Sequence, residues 1–566
     1  MQAMQKCFIT PRDGAGLARP DGEEESAAGR TLHAHPEILA RHGGRVLDPD
    51  DAPIAGGWPA PQSTVYRART LLLPPDLVAE ANLGALNEVL DRAGMRLIPP
   101  PPVSHAAGSV AARMPRAVAL APVESDGVSS PGAVDAWRAL TALRAARSLD
   151  EADVRRISLE HLLVGAAITG DPVVVCGGVE SAPDFPSAAI DESYLYRGGS
   201  ARTPIEVALP APHRKTEAEC VALYGRRPVI AVLDTGVRVH PWLDVAIGPD
   251  GGDPAKPNGY ATERDGFVQV DQHLQDVIYD NGGDYPGPGG GWRLIRYPWD
   301  APDPSDAIIR PVDSHLGHGS FVGGVIRQVV PDATLLSIRI MRSDGVVPEG
   351  DLLVALALIA DRVAAAQATG DPMGMIDAVS LSLGYFSDSA ADVAYTSALR
   401  QVIDELLDMG VLVVAAAGNY TTRRRYYPAA FAGDPAAAGR IPLVSVGALN
   451  PNGTPAAFSD GGSWVHGWAR GAAVVSTFPV DVNGPLSADV ANAAAQGLDP
   501  DDYTGGFAAW SGTSFSAPAM AAQLVAAMIE PLRGPAPDPA LRLDVPGAKA
   551  AIQRAEAAVR QLRLPA

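Results

Sequence analysis

Apolar residues recur along the chain in two rhythms. Over 65–73, VYRARTLLL turns from mixed to wholly apolar, which predicts a strand entering a buried sheet. Pro74, Pro75 and Asp76 then open a helical stretch with Leu83, Leu86 and Leu90 on one face, closed at Gly94, and MRLIP follows as a second strand. The order repeats: RAVALAPV (116–123) reads as a strand, about 132–147 as a helix carrying Trp137, Leu140 and Leu143, and VRRISLEHLL as a strand or short helix. Two consecutive units of this kind suggest a small ferredoxin-like α+β domain over 61–166, although an unrelated α+β domain fits the pattern equally. Residues 1–60 mix Gly, Pro and acidic residues without apolar periodicity, which predicts a poorly ordered lead segment, and 167–224 reads as a connecting region.

From residue 225 the rhythm changes. PVIAVLD, ATLLSIRI, AVSLSL, VLVVAAAG and IPLVSVGAL are short, nearly all-apolar runs rich in β-branched residues. They alternate with helical stretches over 319–329, 350–368, 390–408 and 514–530. Strands buried on both faces and separated by helices imply a doubly wound α/β domain with a parallel sheet, spanning 225–532 with an insertion at about 244–312. A Pro-rich segment and a C-terminal helix complete 533–566. Ligands of such sheets sit beyond the carboxyl ends of the strands, so the polar residues there are the first candidates for chemistry.

Composition narrows the partners. The 566 residues carry 45 Lys+Arg against 65 Asp+Glu, a formal net charge of −20, which opposes nucleic acid and anionic membrane surfaces. At 47% hydrophobic and 19% charged residues the chain has globular composition. Cys7, Cys176 and Cys220 are too few and scattered for a disulfide framework or a zinc cluster. The first residues lack the basic start and apolar run of a secretory signal, so the expected location is cytoplasmic, or secreted if a signal precedes the given residues.

The strand ends hold a set of reactive groups: Asp234-Thr235-Gly236, Gly317-His318-Gly319, Gly418-Asn419 and Gly512-Thr513-Ser514. An acid, an imidazole, an amide and a hydroxyl are the parts of a nucleophilic acyl-transfer site. Singly, each has a plainer reading as a turn or helix cap. Together, AVLDTGVRVHPWL, GHGSFVGGV, VSLSLG, VVAAAGN, AAFSDGG and SGTSFSAPAMAA resemble the subtilisin-like serine peptidases, in that family's order.

The resemblance implies a subtilisin-like fold and a serine endopeptidase. In it Ser514 is the nucleophile, His318 its base, Asp234 the orienting acid, and Asn419 with the Ser514 N–H the oxyanion hole. Ser382, Leu383 and Gly384 would pair with an extended peptide or protein substrate, and Ala416, Ala417 and Gly418 would form the opposite pocket wall. Tyr426 falls where the pocket floor usually has glycine, and Arg423, Arg424 and Arg425 precede it, so a small or acidic residue before the cut bond is expected. His315 and His318 form an H-x-x-H pair without a carboxylate or cysteine partner, which disfavours a metal. No cofactor is required for catalysis, and the Asp/Gly-rich stretches GPDGGDP and YDNGGDYPGPGGG are candidate structural calcium loops. The N-terminal domain would serve as an intramolecular inhibitor of a zymogen, or as a permanently attached regulatory domain. The alternatives are a dedicated peptide maturase or transpeptidase, and a catalytically silent peptide-binding pseudo-protease.

Overall fold

Two large sheets organise the molecule, and strands of both domains contribute to one of them. The computed structural model describes residues 32–565 except 35, 103–104, 107, 124–133, 169–173, 177–201, 208, 282–294, 303–311, 390–397, 435–436, 438, 486–494, 496 and 498.

In the N-terminal domain, α1 (Pro36–His42) and β1 (Gly44–Leu47) precede β2 (Thr64–Leu73), α2 (Glu80–Asp91) and β3 (Met95–Ile98). Then come β4 (Arg116–Pro122), α3 (Ala136–Ala145) and β5 (Ser158–Gly165). Strands β2 to β5 lie in the order β5-β2-β4-β3 with each neighbouring pair antiparallel, so the chain traces a β-α-β-β-α-β path like that of a ferredoxin-like unit. Leu83, Leu86 and Leu90 of α2 join Trp137, Leu140 and Leu143 of α3 over Leu71, Leu73, Val118, Leu120 and Leu159 of the sheet. Asp135 starts α3 by accepting the Arg138 N–H. VRRISLEHLL divides between a short helix, Glu151–Val154, and β5.

The lead segment differs from expectation. Residues 1–31 lie outside the described residues, but 36–60 are ordered: β1 pairs with β2, and the Trp137 indole donates to the Pro53 carbonyl. This stretch adds an edge strand and single side chains to a surface already built, so it needs no apolar periodicity of its own.

The larger domain contains β6 (Val229–Asp234), β7 (Val268–Val270), α4 (His318–Val329), β8 (Thr334–Arg339) and β9 (Val346–Pro348). There follow α5 (Glu349–Thr369), β10 (Ala378–Leu381), β11 (Leu383–Phe386), α6 (Ala398–Asp408), β12 (Leu412–Ala416) and β13 (Tyr426–Tyr427). The last elements are β14 (Val444–Leu449), β15 (Gly467–Arg470), α7 (Thr513–Ile529) and α8 (Ala548–Gln561). Seven parallel strands run in the order β7-β8-β6-β10-β12-β14-β15. Ile230–Leu233 and Leu412–Ala416 are buried at every position, as strands covered on both faces must be. Strands β7 and β15 escaped the sequence reading because three and four residues, one of them GWAR, make no apolar run. Helices α5 and α7 are long and apolar enough to cross a membrane, yet α7 runs through the core against β10, β12, β14, β15 and α4. Cys220 is a buried free thiol beside Arg227.

The two domains share a sheet. Beyond the N-terminal domain, β5 pairs with β9 through Leu162, Leu163 and Val164, and with β11 through Val164 and Gly165. Next to this ladder, polar groups are buried across the boundary. Arg67 pairs with Glu160 at 2.8 Å, and His161 reaches Glu349 through Nδ1 at 2.7 Å and Asp388 through Nε2 at 3.0 Å. The His161 ring also stacks on Tyr385, with 4.5 Å between centroids.

Burial alone would lower the His161 pKa, but the Glu349 and Asp388 carboxylates outweigh it and push it up to about 9. Undocked and solvated, the ring returns toward its ordinary 6.5. A raised pKa makes this contribution to docking complete below about pH 6.5 and lost as pH rises through about 9. In a full-length Ser514→Ala chain, hydrogen-exchange protection of β5 amides should therefore fall across that window, by on the order of a hundredfold if His161 acts alone. His161→Gln should flatten the profile; an unchanged slope assigns it to other groups.

Candidate active site

Asp234 ends β6, the strand at which the sheet order reverses, and His318 is the first residue of α4. Both are buried, and His318 Nδ1 lies 2.7 Å from Asp234 Oδ1, which also accepts the Thr235 N–H at 2.7 Å. The two loops touch so closely that a Cβ on Gly319 would stand 2.1 Å from the Gly236 carbonyl oxygen, so the glycine after His318 is required by contact.

Asp300 locks this arrangement. Its Oδ2 accepts from Thr235 Oγ1 at 3.0 Å and from Gly317 N at 2.7 Å, and its Oδ1 accepts from Ser343 Oγ at 2.7 Å. Thr235 Oγ1 in turn accepts the Gly319 N–H. Burial pushes the Asp300 carboxyl up, while Arg339, the Ser343 hydroxyl and the Gly317 N–H hold it down. Sequence reasoning missed this residue inside the insertion; the signal was the apolar Tyr-Pro-Trp directly before it, of which Trp299 is buried.

Ser514 is the second residue of α7. Pro518 falls inside the helix. Its missing N–H leaves the carbonyl four residues earlier, that of Ser514, without a helical donor. The Ser382 hydroxyl takes that place, donating to the Ser514 carbonyl at 2.8 Å. The Ser514 hydroxyl donates to the Ser382 carbonyl at 3.1 Å, and His318 Nε2 is buried without a hydrogen-bond partner among the described residues. Asn419 is fixed by Thr513, whose N–H and hydroxyl both donate to Oδ1 at 2.9 Å. That orientation aims Nδ2 into the cleft.

The cleft is occupied by the chain itself. Asn419 Nδ2 and Ser514 N converge on the Ala166 carbonyl oxygen at 2.5 and 2.9 Å. Ala166 N donates to the Ser382 carbonyl at 2.9 Å, and Gly165 N to the Gly345 carbonyl at 2.8 Å. Val164 lies in register with Gly384 on one side and Val346 on the other. Past Ala166, Ile168 N donates to Ser511 O, and the Trp510 indole donates to Ile168 O at 2.7 Å.

Asn419 and Ser514 thus meet at one peptide bond, with Ser382, Leu383 and Gly384 along the occupying strand, while Asp234 pairs with His318, whose ring lies 5.4 Å from that of Phe515, the residue after Ser514. Ala416 and Ala417 are buried and bonded into β14, and Gly418 N donates to Thr513 Oγ1. Tyr426 is buried, its ring wedged against Gly384 and Gly418. The proposed role of the arginines needs correction. Arg424 donates to the Ser63 and Ser387 carbonyls and lies over the Phe386 ring, and Arg425 pairs with Asp434 at 2.8 Å. Both guanidinium groups already have other partners, so neither supplies an acid-binding pocket.

Among the described residues no group of three or more His, Cys, Asp or Glu side chains is arranged to hold a metal ion. In GPDGGDP, Asp250 and Asp253 accept backbone N–H groups of their own loop, and 282–291 of the second Asp/Gly-rich stretch lie outside the described residues.

The sequence profile of the subtilase family matches residues 225–534, more than half of the chain. The chain belongs to the subtilase family. Subtilisin BL of Lederbergia lenta is 32% identical over 295 residues, covering 51% of this chain and 80% of that protein. Subtilisin Savinase of the same organism is 31% identical over the same coverage. A solved cold adapted subtilisin-like serine proteinase matches 59% of this chain and 85% of its own at 18% identity and a TM-score of 0.31. As a subtilase, the protein is a serine endopeptidase.

Two substitutions test the hydrogen-bonding pair over the Ala166 carbonyl. In this subtilase, Asn419→Ala should lower kcat on a peptide substrate by roughly 10²–10³-fold with little change in KM. Thr513→Val, which removes one of the two bonds orienting Asn419, should cost about tenfold in kcat. A raised KM with unchanged kcat would instead assign Asn419 to uniform substrate binding.

Proposed function

We propose that this subtilase is a self-restrained zymogen that cuts the bond between Ala166 and Ala167 through Asp234, His318 and Ser514, and that its N-terminal domain inhibits the cleft before and after the cut. One observation carries the reading: the Ala166 carbonyl oxygen sits between Asn419 Nδ2 and Ser514 N, where an oxyanion would form.

The chemistry follows from these positions. The Ser514 hydroxyl leaves the Ser382 carbonyl, gives its proton to His318 Nε2, and its oxygen attacks the Ala166 carbonyl carbon. Asp234 holds the other imidazole N–H and stabilises the charged ring. Negative charge on the former carbonyl oxygen is met by Asn419 and Ser514 N, and the N-terminus of α7 adds a favourable dipole. The intermediate collapses as His318 protonates the Ala167 nitrogen, which leaves as a free amine. Residues 1–166 then remain as an ester on Ser514 until water, deprotonated by the same imidazole, releases them with a new carboxylate.

After the cut, the N-terminal product keeps its ladder to β9 and β11 and the buried contacts of Arg67, Glu160 and His161, so it remains an inhibitor of the enzyme that made it.

Expressed beside Ser514→Ala, the wild-type chain should yield two fragments whose masses place the break after Ala166, with Ala167 as the new N-terminus. The variant should stay intact. A fluorophosphonate should label Ser514 once the N-terminal fragment has been displaced. Identical intact masses together with no adduct would indicate a silent peptide-binding protein.

A further inference from the structure

The strand in the cleft shows how much room the cleft has, and at two positions there is almost none. A Cβ on Gly165, the residue before Ala166, would stand 2.7 Å from His315 Cδ2, 2.8 Å from His315 Nε2 and 3.1 Å from Met341 Sδ. His315 cannot withdraw. A Cβ on Gly345 behind it would lie 2.2 Å from its Nδ1, so the ring is confined between two glycines, and it is 1% exposed. Its neighbours include the His318 ring at 5.4 Å and the Trp510 ring at 6.4 Å between centroids. Burial, followed by the influence of His318 and Arg202, pushes its pKa down to about 3, so it is a neutral steric block and not a cation.

The pocket for Ala166 is closed in the same way. Its two walls are β11, which carries Gly384, and the loop after β12, which carries Gly418, and the Tyr426 ring lies between them. Tyr426 Cε1 lies 2.4 Å from a Cβ placed on Gly384, and its Cδ1 lies 3.0 Å from one on Gly418. The Tyr426 hydroxyl donates to the Val164 carbonyl at 3.0 Å, and Phe386 and Tyr420 pack on the ring at 5.2 and 5.6 Å. A side chain entering here would have to displace a buried, hydrogen-bonded aromatic ring held in a cluster.

We propose that His315 and Tyr426 restrict this peptidase to extended polypeptide segments with glycine at the second position before the cut bond and alanine or glycine at the first. This proposal rests on the peptidase reading. It also assigns His315 a role in substrate selection. The residues farther upstream face no such limit, since Leu163 is accommodated as a fully buried side chain.

The test uses the wild-type, self-processed enzyme after its N-terminal fragment has been displaced, and internally quenched peptides built on residues 162–168, Leu-Leu-Val-Gly-Ala-Ala-Ile. Replacing the Gly-Ala pair by Gly-Phe or by Leu-Ala should lower kcat/KM by at least about 100-fold, and Gly-Gly should be cut at a rate within about tenfold of Gly-Ala. A second arm reads the full chain's own processing. Ala166→Phe should block the mass change and Ala166→Phe with Tyr426→Gly should restore it; Gly165→Leu should block it and Gly165→Leu with His315→Gly should restore it. The wild-type peptide comparison stands even where a variant fails to fold. Comparable turnover of the Gly-Phe, Leu-Ala and Gly-Ala peptides by enzyme that labels at Ser514 overturns the restriction and leaves the peptidase reading intact. Absence of any Ser514 adduct overturns both.

Discussion

The backbone hydrogen bonds of Leu162–Ala166 are what the rest of the molecule is arranged around. Strands β9 and β11 each present an edge of unpaired N–H and C=O groups, and an extended chain between them satisfies both at once. The ladder fixes register, and register decides which carbonyl reaches Asn419 and Ser514. A slip of one residue would turn every side chain of the strand to the other face. Gly165 and Ala166 make such a slip costly, because it would bring a larger side chain against His315 or the Tyr426 ring.

The two faces of the N-terminal sheet obey different physics. Toward α2 and α3 the contacts are apolar and self-contained, with Leu71, Leu83, Leu90, Trp137 and Leu159 closing a core without help from the larger domain. The opposite face buries Arg67, Glu160 and His161, and His161 finds its two carboxylates only across the boundary. Buried charges of this kind add little net stability over an apolar contact but are expensive to leave unpaired, so they enforce one docking geometry.

Much of this was legible in the sequence. The alternation of apolar runs with helical stretches located five of the seven parallel strands and helices α4 to α7, because strands buried on both faces must be apolar throughout. Asp234, His318, Asn419 and Ser514 could be found because their loops carry glycines whose contacts admit no side chain. Other features depend on distant residues meeting in space. Asp300 supports the His318 loop from within an irregular insertion, where the apolar Tyr-Pro-Trp before it is the one local sign and does not say which distant groups its carboxylate will meet. His315 was visible only as half of an H-x-x-H pair, since its confinement depends on Gly165, which lies 150 residues earlier in the chain. Arg424 and Arg425 were misread for a related reason: the partners of Arg424, Ser63 and Ser387, come from other parts of the chain, and that of Arg425, Asp434, lies beyond the Tyr427-Pro428 turn.

The shared sheet has one further consequence. Breaking the bond after Ala166 removes a covalent link but not one rung of the ladder on either side of β5. In the proposed self-cleavage, bond breaking and departure of the fragment would therefore be separate events with separate rates, the first set by chemistry at Ser514 and the second by how often a whole strand peels away. A zymogen of the proposed kind would work as a timer: the cut would start it, and the sheet would determine how long it runs.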